Sequence, residues 1–151
     1  MRFIKLIAIS FVAFFLLLTA FTSLIPSTVR ISRAVDVQAE KSKLLPYLQD
    51  MNQWKSWNLW MQDSTRQITV QAVLPGDSVI SAQWVTGDKK LSSNYAVYQV
   101  KPGILTVQWY FDVKLAWYPW EKLGSIIYDK QMGPVMEESL ANLKRLVESN
   151  P

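Results

Sequence analysis

The 151-residue sequence contains neither cysteine nor histidine. The first absence rules out disulfide staples and thiolate nucleophiles. The second removes the commonest metal ligand and the commonest general base near neutral pH. Together they exclude Ser-His chemistry and zinc sites of the usual His/Cys type, and neither a metal nor a cofactor is expected. A strong charge of either sign is also missing. The formal net charge is +4, and Arg2 and Lys5 supply two of those charges ahead of a long apolar run. The residues beyond that run carry only about +2, which is no electrostatic footprint for nucleic acid. No internal repeat or low-complexity tract interrupts the chain.

What is abundant is apolar. Leu6 to Ile25 reads LIAISFVAFFLLLTAFTSLI, without a charge. At about 1.5 Å per residue this stretch reaches roughly 30 Å, the thickness of the hydrocarbon layer of a bilayer. Arg2 and Lys5 flank its start, and positive flanks stay cytoplasmic. A cleaved signal peptide would have an apolar core of roughly 7–15 residues and a small-x-small cleavage site. Here Thr19, Ala20 and Ser23 offer only weak choices. The reading preferred is an uncleaved signal anchor over residues 1–26, with residues 27–151 as one domain on the far side of a membrane. The cleaved alternative also carries the remainder across.

Beyond Pro26 the periodicity changes. Val29, Ile31, Val35 and Val37 alternate with polar residues, which predicts a strand half buried on one face, with Arg33 intruding on the apolar side. The stretch AEKSKLLPYLQDMNQWKSW predicts two short helices, with Pro46 as the break or kink. Strands are predicted at 68–74, 78–86, 93–100 and 104–115, separated by turn signals PGD at 75–77, GDKK at 87–90 and KPG at 101–103. In the last of these strands, Leu105, Val107, Trp109, Phe111, Val113 and Leu115 hold strict period two. Short turns between the strands imply an antiparallel meander. Met132, Met136, Leu140, Leu143 and Val147 then form one apolar helical stripe. Gly133-Pro134 either starts this helix or kinks a longer one beginning near Trp120. A curved sheet with one apolar face and one amphipathic helix predicts an α+β domain in which the helix lies in the hollow of the sheet.

Three segments carry a family resemblance. VRISRAVDVQAEKSKLLPYLQDMNQWKSWNLWM, with its W-x-x-W-x-x-W motif, resembles the first strand and short helices of the SRPBCC superfamily. TVQWYFDVKLAWYPWEKL resembles its last long strand, and MGPVMEESLANLKRLVES its closing helix. The superfamily includes START, Bet v 1 and polyketide cyclase/dehydrase-like proteins, and the LIPSTVRISR junction is similar to that of small membrane-anchored bacterial members. The resemblance covers Thr28 to Asn150 and implies the helix-grip fold, with a small hydrophobic ligand or a lipid as partner. One departure is plain. Relatives often carry a longer insert with a Gly-x-Gly element after the tryptophan motif, and QDSTRQITVQAVLPGDSV is compact and lacks it.

Within that framework the aromatic residues are the candidate site. Trp54, Trp57 and Trp60 stand three apart, a spacing that places the first two on one side of a short helix. They either plug the end of the core or line an apolar pocket. A membrane belt is a further, weaker option. Trp117 and Trp120, where the last strand hands over to the helix, pack a corner or form a lid. Trp84, Tyr95, Trp109 and Phe111 from the sheet would face Met132, Met136 and Leu140 across a cavity or a solid core. Among polar candidates, Arg33 requires a partner such as Asp36, Glu121 or Asp129, or a ligand carboxylate or phosphate, because an unpaired buried charge is costly. Glu121 and Asp129 could serve as bases only if burial raised their pKa. Three functions are compatible with this pattern: an anchored module that binds a small apolar or amphipathic molecule, a structural or interaction protein with a filled core, and a cyclase- or hydratase-like enzyme using Tyr, Asp or Glu. The first is the expectation.

Overall fold

A computed structural model describes residues 2–87 and 89–149. The apolar run forms helix α1, Arg2–Ser23, long and apolar enough to cross a membrane. After a four-residue link come strand β1, Thr28–Val37, and three short helices: α2, Lys41–Gln49; α3, Met51–Trp54; α4, Leu59–Gln62. Strands β2, Ile68–Leu74, β3, Val79–Thr86, β4, Lys89–Lys101, and β5, Ile104–Lys114, come next, and helix α5, Pro119–Ser149, closes the chain. Gly87 and Gly103 adopt positive φ in the turns before β4 and β5, a conformation glycine takes without steric cost. Asp88, part of the expected GDKK turn, lies outside the described residues, as do Met1, Asn150 and Pro151.

The five strands form one antiparallel sheet in the order β1-β5-β4-β3-β2. Each hairpin neighbour pairs with the next, and β1 returns to pair with β5, Ile31 opposite Phe111 and Val35 opposite Val107. Register shifts at Val70/Ala72 and Gln99/Lys101 bend the strands that carry them. The period-two pattern of β5 buries Leu105, Val107, Trp109 and Phe111 on one face. Over that face lies α5, which buries Met136, Leu140, Leu143 and Val147 from its apolar stripe. The result is the helix grip: a curved sheet holding a long C-terminal helix.

Two proline sites each take one of the alternatives their sequence left open. Pro46 lies inside α2 and does not divide it. The break falls at Asp50, whose extended backbone ends α2 and whose side chain accepts from the Asn52 amide at 2.9 Å to cap α3. That is the ordinary work of an N-cap aspartate. Gly133-Pro134 lies within a longer final helix that begins at Pro119, beside Trp120, which is the second of the two alternatives.

Gly133 has a different task. Arg33 projects from the concave face of β1 toward α5, and its guanidinium occupies the space a Cβ on Gly133 would need. There it donates to Asp129 (2.9 and 3.1 Å) and to Glu137 (2.6 Å). Arg33 is therefore a strand-to-helix tie with two carboxylates, each one helical turn from Gly133. The Asp129 hydrogen bond holds the guanidinium above its ordinary pKa, and Arg33 in return holds the Asp129 carboxyl below the usual carboxylate range. Sequence reasoning named Asp129 as a partner but missed Glu137.

A double-mutant cycle tests this tie. In an Arg33→Ala background, Gly133→Ala gains the helix propensity of alanine, about 1 kcal/mol. In the native background the same change displaces the guanidinium and that gain shrinks or reverses, a coupling of roughly 0.5–3 kcal/mol. Chemical denaturation of the four proteins measures it, and additive effects would refute the tie. The sign with pH is set by Asp129. Its depressed folded pKa adds stability that is present above the unfolded carboxyl range and lost as pH falls through the folded value. The acid limb of the stability curve should therefore flatten in Asp129→Asn.

Candidate functional site: an aromatic plug and an open groove

The short helices deliver the tryptophans. Trp54 ends α3, Trp57 lies in the turn after it, and Trp60 belongs to α4. They do not share one helix, because Asn58 takes an extended backbone and caps α4 by accepting from the Trp60 amide at 3.1 Å. This break turns all three indoles inward. Trp54 and Trp57 are fully buried, and Trp60 nearly so. Trp54 Nε1 donates to Leu48 O (3.0 Å) and Trp57 Nε1 to Tyr47 O (3.1 Å), so both indoles are anchored to α2.

Their faces meet the aromatic residues of the sheet edge-on. Trp57 packs at 77° against Trp109 and at 78° against Tyr95. Trp60 meets Trp109 and Phe111 at 5.4 and 5.6 Å between ring centroids, and Trp84 meets Phe111 at 5.4 Å. Edge-to-face pairs of this kind add about 0.5–1.5 kcal/mol each beyond area burial. Trp109 Nε1 is satisfied by Ser93 Oγ at 2.9 Å, and Ser139 Oγ of α5 accepts from the Leu59 amide. The space between the sheet and the C-terminal half of α5 is therefore filled, by the tryptophan motif itself.

Not every polar atom in the plug is matched. Asn58 Nδ2, Trp84 Nε1 and Tyr95 Oη are buried without a well-formed hydrogen bond among the described residues. Burial pushes the Tyr95 phenol far above its ordinary range, and the nearby Ser93 and Asn58 side chains offset only part of that effect. Burial thus favours the neutral phenol.

The grip stays open toward the N-terminal half of α5. One groove there, of about 610 Å³, is lined by Trp60, Ile68, Trp84, Leu91, Phe111 and Met132, with Thr65 and Arg66 at its rim. A second, of about 670 Å³, is more polar and is lined by Lys90, Asp112, Lys114, Glu121, Tyr128 and Met132 among others. The two meet at Leu91 and Met132.

The predicted site residues thus divide. Trp60, Trp84, Phe111 and Met132 come together around the apolar groove. Trp54, Trp57, Tyr95, Trp109, Met136 and Leu140 lie behind it in the solid core. Trp117 and Trp120 line neither groove and are 71 % and 63 % exposed, because they stand outside the corner where β5 gives way to α5. Glu121 lines the second groove, while Arg33 and Asp129 are engaged with each other. Ile68 and Leu91 were missed. Each is a single aliphatic residue near a strand end, and nothing in the pattern distinguishes it from ordinary core. Among the described residues no group of three or more His, Cys, Asp or Glu could hold a metal.

No family model and no curated protein matches the sequence. Solved structures do match the fold. A START superfamily protein from Mycobacterium smegmatis superimposes with a TM-score of 0.59 at 16% identity, over 81% of this chain and 99% of its own. A protein of unknown function from Staphylococcus aureus gives 0.57 at 9% identity, over 81% and 96%. CalU16 from Micromonospora echinospora gives 0.52 at 10% identity, over 82% and 76%. The chain has the START-like helix-grip fold, as its sequence resemblance implies.

The mismatch between the two kinds of buried aromatic is testable. Tyr95→Phe removes a hydroxyl with no well-formed partner and should be neutral or stabilising in thermal unfolding. Trp57→Ala opens a large cavity and should cost about 3–5 kcal/mol. A comparable loss in Tyr95→Phe would mean that the hydroxyl is satisfied.

Proposed function

We propose that this protein is a membrane-anchored binding module that holds a small hydrophobic or amphipathic molecule in the groove around Met132. The groove carries the reading. An apolar wall of indole, phenyl and aliphatic side chains adjoins a polar compartment with Lys90, Lys114 and Glu121. A guest with a greasy body and a polar end matches that division. Methionine at the junction adapts to varied apolar shapes. The volume is of the size that takes small ligands elsewhere. The START-like fold favours a ligand-binding role in general terms, although fold alone does not assign one.

Helix α1 supports the anchored part of the reading, with Arg2 and Lys5 keeping the N-terminus cytoplasmic and the domain on the opposite side. A cyclase-like activity has less support. Tyr95 is buried in the plug, where ionisation is disfavoured, and Asp129 is exposed and paired with Arg33.

A diazirine-bearing palmitate tests the groove. The full chain in phosphatidylcholine nanodiscs is irradiated with the probe, and the labelled residues are mapped by mass spectrometry. Labels are expected in the segments containing Ile68, Leu91 and Met132. In Leu91→Trp, which fills the junction, labelling of those segments should fall about tenfold, equivalent to roughly 1.4 kcal/mol of affinity. Labelling confined to α1, or unchanged in the filled variant, would refute the site.

A further inference from the structure

The start of α5 carries an apolar face that the domain does not use. Trp120, Leu123 and Ile127 succeed one another at spacings of three and four and so share one stripe of the helix. All three are exposed, as are Ile126 beside them and Trp117 just before the helix. The opposite side of the same turns is buried: Lys122, Ser125 and, further on, Gly133 and Met136. The outward stripe then changes character. Its next positions are Lys130, Gln131, Pro134 and Glu138, none of them buried. The unpartnered apolar surface is thus confined to the first turns of a 31-residue helix.

Those turns adjoin the end of α1. Lys122 Nζ donates to Ile25 O at 2.8 Å, at the last residue of the apolar run, and Thr22 is buried at this junction. Leu115, the residue after β5, donates its amide to Ser27 O at 2.8 Å. If α1 spans a bilayer, Ile25 lies where the hydrocarbon ends, and the first turns of α5 are tied to that level by a side chain that reaches a backbone carbonyl. Tryptophan favours this interface, where its ring is apolar and its N–H is wet. Tyr118 stacks on Trp120 at 4.8 Å and adds a second amphipathic ring. From Trp120 to Ile127 the stripe extends about 10 Å along the helix axis.

We infer that Trp117, Trp120, Leu123, Ile126 and Ile127 form an interfacial face that docks the domain into the lipid headgroup layer. The occupant is the bilayer surface, because the face is continuous with the junction to the apolar helix. The stripe carries no charge before Lys130, so docking depends on apolar area and not on anionic lipid. The rim of the polar groove includes Ala116 and Glu121, immediate neighbours in the chain of Trp117 and Trp120. Docking therefore holds that rim at the lipid surface, where an amphipathic guest would be supplied. The inference rests on the anchored reading proposed above.

The absence of native cysteine makes single-label experiments clean. Nitroxides are placed at Val12→Cys, Leu123→Cys, Ile127→Cys and Glu138→Cys in the full chain in phosphatidylcholine nanodiscs. Spin-relaxation measurements then compare collision with oxygen and with a water-soluble nickel chelate. The Val12 label should report hydrocarbon. The Leu123 and Ile127 labels should show an oxygen-to-nickel ratio several-fold above that of Glu138, unchanged by added phosphatidylglycerol. Ratios at 123 and 127 equal to that at 138, with Val12 in hydrocarbon, would overturn the docked face and leave the anchor standing. An aqueous Val12 label would overturn the anchored reading and the docked face with it. Shielding of 123 and 127 from both reagents, with dipolar broadening between copies, would assign the face to a second copy of the chain and overturn lipid docking.

Discussion

The packing of Trp54, Trp57 and Trp60 in the hollow of the sheet is the constraint on which the rest depends. Each presents a large apolar surface whose exposure would oppose folding. The hollow between the sheet and α5 is the place that accepts them, because Tyr95, Trp109 and Phe111 offer rings at edge-on geometry. Fitting three indoles there requires the connecting backbone to be cut into short pieces. Asp50 and Asn58 make those cuts by capping α3 and α4. The caps look like local details, yet they set the direction of the largest side chains in the molecule.

Filling one half of the grip leaves the other half open. The plug consumes the volume under the C-terminal half of α5, where Met136, Leu140 and Leu143 are fully buried. Under the N-terminal half no equivalent residues arrive, and the grooves around Leu91 and Met132 remain. Arg33 stabilises this arrangement at the boundary. It spans from β1 to Asp129 and Glu137, and the missing side chain of Gly133 lets strand and helix approach around it. A tie between the filled and open halves explains why an arginine sits on the apolar side of a strand.

Much of the architecture was legible in one dimension. The strict alternation from Leu105 to Phe111 and the stripe from Met132 to Val147 each bury one face, and two such faces have few ways to meet. The hairpin turns were marked by Gly76, Gly87 and Gly103. The candidate site was less legible. Trp60 lines the groove while Trp54 and Trp57 lie behind it, yet all three are the same residue type, three residues apart in one short segment. Pro46 and Gly133-Pro134 each allowed a helix boundary or an interior position, and both lie inside helices. Propensity is a weak influence when a long apolar face can be buried.

The sequence by itself determined the strands, the antiparallel order of the hairpins, the long amphipathic final helix and the apolar N-terminal helix, and its family resemblance implied the helix-grip fold. The elements arise from periodicities of 2.0 and 3.6 residues, which are local properties of a chain in water. Only the tertiary structure decided which tryptophans fill the core and which stand on the surface. It also decided that Glu137 joins Asp129 on Arg33, and that the open volume gathers at Leu91 and Met132. Those outcomes depend on how bulky rings share a finite space between elements far apart in the chain, and no local pattern records that competition.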